Sequence, residues 1–171
     1  SRDLIKENGW AAVSIRAVAS RCSVSAGTIY NYYESKADLL SDTIESIWHE
    51  IFFHPEDEQV FHDVESCISW IYERLEYGNR QFPGFFSLHS FGFMRDEKTS
   101  GKKRMMKTWG HILNGLCEVL GNDPKVRADV FDQEFTEKKF ADILFSLILV
   151  SMIRQDYDPS SVLMLVKKTL Y

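Results

Sequence analysis

Between Ser25 and Tyr32 the run Ser-Ala-Gly-Thr-Ile-Tyr-Asn-Tyr gathers hydroxyl, amide and aromatic side chains around two of the smallest residues, with Arg16 and Arg21 before it and Lys36 after it. These groups can hydrogen-bond, stack and attract anions, and none is a nucleophile beside a base, so the chemistry on offer is recognition rather than bond breaking. Gly27 costs about 1 kcal/mol of helix propensity but lets the backbone approach another surface closely. In a helix lying in the major groove of DNA, the N-terminal residues reach base edges. There Thr28 can meet polar edges or a thymine methyl, and its neighbours can grip phosphate.

Two helices must position this cluster. Ser14 is a good N-cap, and Ile15, Val18 and Ala19 recur on one face, so the spacing predicts a short amphipathic helix over 15–21. Cys22-Ser23-Val24 is too short for a strand, and Ser25 caps a second helix with Ile29 and Tyr33 on its inner face. Two short helices around a three-residue turn make a helix-turn-helix. The competing reading, a helical hairpin with all its tyrosines in the core, fails on geometry: Tyr30 and Tyr32 cannot share the inward face with Ile29 and Tyr33.

Ser25, Gly27-Thr28-Ile29-Tyr30, Tyr32-Tyr33, Ser35-Lys36 and Leu39-Leu40, preceded by Arg16, Val18, Ala19 and Val24, resemble the TetR family of bacterial transcriptional regulators. The resemblance covers about the first 50 residues. It implies a DNA-binding surface of Ser14, Arg16, Ser25, Ala26, Gly27, Thr28, Tyr30, Asn31, Tyr32 and Lys36, with Thr28 and Tyr30 nearest the bases and Tyr32 and Lys36 on phosphate. Two positions depart from the family pattern. Ser23 stands where glycine is usual, so a left-handed backbone there costs about 1–2 kcal/mol. Tyr33 replaces the usual phenylalanine, and its hydroxyl needs a partner.

Charge agrees with selective binding. The net charge of −5 speaks against indiscriminate coating of nucleic acid, yet Ser14 to Lys36 holds Arg16, Arg21 and Lys36 against Glu34 alone. An enzyme is not expected. The five histidines, His49, His54, His62, His89 and His111, are scattered, and there is no His-Glu-x-x-His pair, Gly-rich phosphate loop or nucleophile elbow. His62-Asp63 tempts a metal reading, but a solvated helix surface accounts for it, and neither metal nor cofactor is expected. Cys22, Cys67 and Cys117 lack metal spacing and are expected as reduced thiols. No apolar run approaches about eighteen residues and the start lacks a signal peptide's apolar stretch, so the expected location is the cytoplasm.

The whole chain reads as all-α, with an N-terminal helix-turn-helix DNA-binding domain over 1–44, whose first helix is truncated relative to the family, and a helical ligand-binding and dimerisation domain over 45–171. Leu4 and Ile5 end the first helix before Gly9. A long helix is expected over 36–53, and others over 60–77, stopping at Gly78, over 82–94, and over 103–120 after a basic segment Lys98 to Arg104. Asn122-Asp123-Pro124 reads as the start of a short helix to about Asp132. From 136 to 154 apolar residues cover nearly the whole circumference, which demands burial all round, and Asp158-Pro159 opens a last helix.

One helix-turn-helix reads too few base pairs, so a two-fold dimer on a palindromic operator is expected, with half-sites about 34–36 Å apart. The last two helices supply its four-helix interface, centred on Phe145, Leu149, Met152 and Leu163. Trp70, Phe82, Phe85, Phe86, His89, Phe93, Met106, Trp109 and Leu113 are candidates for lining a small-molecule site, although an aromatic stripe at helical spacing is more often plain core. The resemblance implies a repressor whose inducer, apolar or aromatic and in some cases cationic, moves the 36–53 helix and spreads the DNA heads. The alternative is control by a protein partner.

Overall fold

Both predicted caps act as expected. Ser14 Oγ accepts the Ala17 N–H at 3.1 Å and opens α2 (Ile15–Arg21), and Ser25 Oγ accepts the Thr28 N–H at 3.1 Å and opens α3 (Ala26–Tyr30). α2 buries Ile15, Val18 and Ala19, and α3 buries Ile29. In the turn Ser23 is left-handed at φ 56°, as its position in the motif requires, and the Val24 N–H returns to the Ala19 carbonyl at 3.0 Å. Ahead of them α1 (Arg2–Asn8) stops at Gly9, whose φ of 75° together with a ψ of 175° suits only glycine, and a 3-10 turn at Trp10–Ala12 leads to Val13. The structure, a computed structural model, describes residues 1–52, 61–86 and 100–171, and within the last span the side chains of 106 and of 109 onwards.

α4 (Lys36–Phe52) buries Leu39, Leu40, Ile44, Ile47, Trp48, Ile51 and Phe52, an apolar stripe at helical spacing. Its two buried hydroxyls are satisfied inside the helix: Ser41 donates to the Ala37 carbonyl at 2.9 Å, and the Thr43 hydroxyl lies 2.8 Å from the Leu39 carbonyl. The expected domain boundary near residue 44 falls inside this continuous helix.

Gly78 does not stop the next helix. α5 runs from Val64 to Gln81, and a Cβ on Gly78 would come within 2.6 Å of Ile51 Cδ1 and 3.1 Å of Phe86 Cζ. Glycine is there to admit neighbours, so packing outweighs the roughly 1 kcal/mol of lost helix propensity. Beyond α5, residues 82–86 form turns rather than the start of the predicted 82–94 helix, of which the remainder lies outside the described residues.

Two compact units emerge, Ser1–His54 with Tyr77–Lys107, and Pro55–Glu76 with Thr108–Tyr171. In the first, Trp48 stacks on Phe52 with ring centroids 5.4 Å apart and meets Phe85 and Phe86 edge-on at 5.7 and 5.6 Å, while Trp10 reaches Phe85 at 6.1 Å. In the second, α6 (Ser100–Asn122) contributes the buried Leu116, Val119 and Leu120. The short helix expected after Asn122 is absent: residues 123–135 are turns and loop. Asp123, expected to help start that helix, is buried and accepts instead from the Val64 N–H at 2.9 Å, the Lys125 N–H at 2.9 Å and the Tyr171 hydroxyl.

α7 (Glu137–Arg154) starts at Thr136, whose Oγ1 accepts the Lys139 N–H at 3.3 Å, and ends at left-handed Gln155. Phe140, Ala141, Leu144, Ile148 and Met152 point into the unit's core, but Ile143, Val150 and Ile153 remain 43–49% exposed. α8 (Ser160–Leu170) repeats the pattern, burying Val162, Val166 and Leu170 and exposing Met164 and Leu165. Complete burial of the α7 circumference is therefore not achieved within one chain.

Candidate nucleic-acid interface

With Ile29 turned inward at 8% exposure, the outer face of α3 is left to the polar and aromatic residues. Tyr30 is 56% exposed and Tyr32 77%. Ser25, Gly27, Asn31, Arg16 and Lys36 are exposed as well, while Ser14, Ala26 and Thr28 are half-buried. The Ser25 and Thr28 hydroxyls lie 3.0 Å apart, so the N-terminal corner of α3 carries a coupled pair of hydroxyls with donor and acceptor capacity to spare. The ten residues predicted for this surface thus fall in α2 and α3, at their caps, in the turn after α3 and at the start of α4.

Gly27 is informative by what does not require it. Its φ is not positive, and a Cβ built there would meet only Ser25 Oγ, at an ordinary 3.6 Å. Neither the backbone nor the packing of this chain needs a glycine at that position. The position faces open space outside the chain.

The cations divide. Arg21 makes a two-pronged pair with Glu7 of α1, Nη1 to Oε2 at 2.8 Å and Nη2 to Oε1. That bonding holds the Glu7 carboxyl below its ordinary value and raises the Arg21 guanidinium. Arg21 therefore ties α2 to α1 rather than standing ready for phosphate. Among the described residues no ion pair engages Arg16 or Lys36.

α1 and the turn after α3 are tied to α4 by groups that the sequence did not single out. Glu50 receives Arg2 at 2.9 Å and Lys6 at 2.7 Å, both from α1. Lys6 also sits 4.8 Å above the Phe82 ring, and the Thr43 hydroxyl is 2.8 Å from that of Ser1. The partner that Tyr33 needs is Asp42, whose Oδ2 accepts the phenol at 2.8 Å. Pairs separated by 9 to 48 positions leave no spacing signal; only the unsatisfied Tyr33 hydroxyl pointed to one of them.

Other candidates fall differently. Phe82, Phe85 and Phe86 are at most 1% exposed in the core of the first unit. Trp70, Trp109 and Leu113 are half-buried in the second unit, where Trp109 meets Phe145 edge-on at 5.7 Å, and Met106 is 56% exposed. His89 and Phe93 lie outside the described residues. Of the four predicted interface residues, Phe145, Leu149 and Leu163 are half-buried, but Met152 is 2% exposed inside its own unit and is not available at the surface.

The metal-like pair His62-Asp63 resolves into a helix cap: Asp63 accepts the Ser66 N–H at 2.7 Å and pairs with Lys125 at 2.7 Å. Lys125 and Ser66 hold its carboxyl at about 2. The three cysteines are free thiols, and burial pushes Cys67 up to about 12. Among the described residues no metal-binding cluster occurs and no helix is long and apolar enough to cross a membrane.

The family model described as bacterial regulatory proteins, tetR family, matches residues 1–43. Across the fold, the chain is similar to a TetR-family transcriptional regulator from Marinobacter aquaeolei VT8, at 13% identity over 88% of this chain and 73% of that one, with a TM-score of 0.57. It is similar as well to the fatty acid degradation regulator FadR from Bacillus halodurans, at 18% identity over 98% and 88% of the two chains, with a TM-score of 0.58. At these identities the likeness is one of fold. No curated protein matches the sequence. Residues 1–43 thus match the TetR-family model, and the all-α fold of the chain is similar to that of TetR-family transcriptional regulators.

Proposed function

We propose that the chain is a homodimeric, sequence-specific repressor that acts on a palindromic operator in the cytoplasm and is released by a small, largely apolar ligand. The observation that carries the DNA-reading surface is Gly27: it stands at the start of an exposed α3 face, flanked by the available cations Arg16 and Lys36, where neither φ nor packing requires it. Thr28 and Tyr30 then read bases, while Tyr32 and Lys36 hold phosphate. Gly27→Ala tests this with two readouts of opposite sign. The variant gains up to about 1 kcal/mol of stability from helix propensity but loses about tenfold or more in affinity for a duplex selected by the wild-type chain. Unchanged DNA affinity would leave Gly27 without this role.

Dimerisation is supported by the stripe left open on the last two helices. Ile143 and Val150 lie seven residues apart on one side of α7 with Ile153 near them, and Met164 and Leu165 are exposed on α8. Phe145, Leu149 and Leu163 border them, and Met152 is excluded by its burial. Sedimentation at micromolar concentration should give twice 19.9 kDa, and Val150→Glu should give the monomer. A wild-type monomer would end the dimer reading.

Ligand control rests on Trp70, Trp109 and Leu113, which keep part of their surface uncovered. A ligand favouring the non-binding state about 100-fold shifts the equilibrium by roughly 2.7 kcal/mol, enough to release a marginally held operator. Trp109→Ala should leave operator affinity within about twofold and abolish release by any compound that releases the wild-type chain.

A further inference from the structure

α3 has five residues and buries only Ile29. Packing holds this short helix against α2, with Ile29 as its one buried side chain. The chain remains coiled beyond it, with the N–H groups of Tyr32 and Tyr33 both reaching the Ile29 carbonyl at 3.0 Å. Tyr33 is thereby fixed relative to α3, and its half-buried ring carries the hydroxyl to Asp42 Oδ2 on the second turn of α4, at 2.8 Å. α4 in turn holds α1 through Glu50 with Arg2 and Lys6, and through Thr43 with Ser1.

We propose that Asp42, acting through Tyr33, is a positioning residue that fixes the angle of α3 on α4 and so sets the selectivity of the DNA-reading face. A phenol donating to a carboxylate is a directional, charge-assisted bond, and it adds a tie to α4 beside the packing of α3 on α2. By charge Asp42 opposes phosphate binding, so its contribution comes through this bond and is felt where alignment matters, at the base edges. The inference rests on residues 25–32 being the DNA-reading surface.

Tyr33→Phe keeps the ring and removes only the hydroxyl. The probes are a duplex recovered from a random-sequence library by the full wild-type chain, and a scrambled duplex of the same composition. Tyr33→Phe should bind the recovered duplex about fivefold more weakly, in keeping with one partly exposed hydrogen bond to a charged acceptor. Its affinity for the scrambled duplex and its salt slope should stay at the wild-type values, with the thermal midpoint lowered by no more than about 4 °C. A Tyr33→Phe/Asp42→Ala double variant should be no less selective than Tyr33→Phe alone, because each change removes one partner of the same bond. Undiminished selectivity in Tyr33→Phe would overturn the proposal, as would equal losses on both duplexes. If the wild-type chain enriches no duplex, the reading surface itself is overturned, and this inference with it.

Discussion

Tyr30 and Tyr32 on the outer face of α3 are 56% and 77% exposed, whereas Phe82, Phe85 and Phe86, within five residues of one another, are at most 1% exposed. Both groups are dense in aromatics, and both are candidates for contact with another molecule on sequence grounds. What separates them is the company they keep. The tyrosines alternate with Asn31 and follow Ser25 and Thr28, whose polar groups keep the face hydrated, while the phenylalanines meet Trp10, Trp48 and the open flank of Gly78. Aromatic density predicts that surface will be covered; the neighbours decide whether the cover is the chain itself or a partner.

The largest effect that can break this contrast is in the buried group. Phe86→Ala should destabilise the protein by about 3–5 kcal/mol, measured by urea unfolding, because it opens a cavity beside Trp48 and Gly78. Tyr32→Ala should change stability by less than about 0.5 kcal/mol and weaken DNA binding instead. If Phe86→Ala were as stable as the wild type and only its ligand response changed, the phenylalanines would belong to a binding site after all.

Arg16→Ala should follow in size, with a loss of about 1–3 kcal/mol confined to one operator position if the guanidinium makes a bidentate guanine contact. Lys36→Ala is its counterpart: all duplexes weaken together, and the slope of log affinity against log salt falls by about one. A changed sequence preference with an unchanged slope would exchange the two roles.

The smallest effect lies away from the DNA face, at Asp63. Its folded carboxyl is held at about 2, below its ordinary value, so its contribution is fully present above the ordinary carboxylate range and is lost as pH falls through about 2. Since Lys125 is largely solvent-exposed, the ion-pair part is under about 1 kcal/mol. Asp63→Asn should therefore flatten the acid limb of stability between about pH 4 and 2 without altering DNA binding. An unaltered acid limb would remove the pair from the account.

Much of the head was legible in the sequence because its signals are local. Ser14 and Ser25 cap within three residues, Ile15, Val18 and Ala19 lie within one turn or so, and the left-handed Ser23 sits inside the motif. Elsewhere the deciding interactions are distant. Gly78 reads as a helix stop until Ile51 and Phe86 are seen to occupy its open side, and Asn122-Asp123-Pro124 reads as a helix start until Asp123 is seen serving Val64 and Tyr171. The exposure of Arg16, Tyr30, Tyr32 and Lys36 follows from the helical pattern, but Arg21 was counted with the open cations because Glu7, 14 positions earlier on another helix, gives no sign in the sequence. On α7 the apolar excess was visible, yet its division into an inner face with Met152 and an outer face with Ile143 and Val150 needed the packing of the fold.

Selection of bound duplexes from a random-sequence library by the full wild-type chain tests the central claim most directly. The account predicts one enriched palindrome, with half-sites about one helical turn apart or a multiple of it, and loss of that enrichment in Arg16→Ala. Recovery of no preferred sequence, or of the same palindrome with undiminished preference by Arg16→Ala and Gly27→Ala alike, would contradict it.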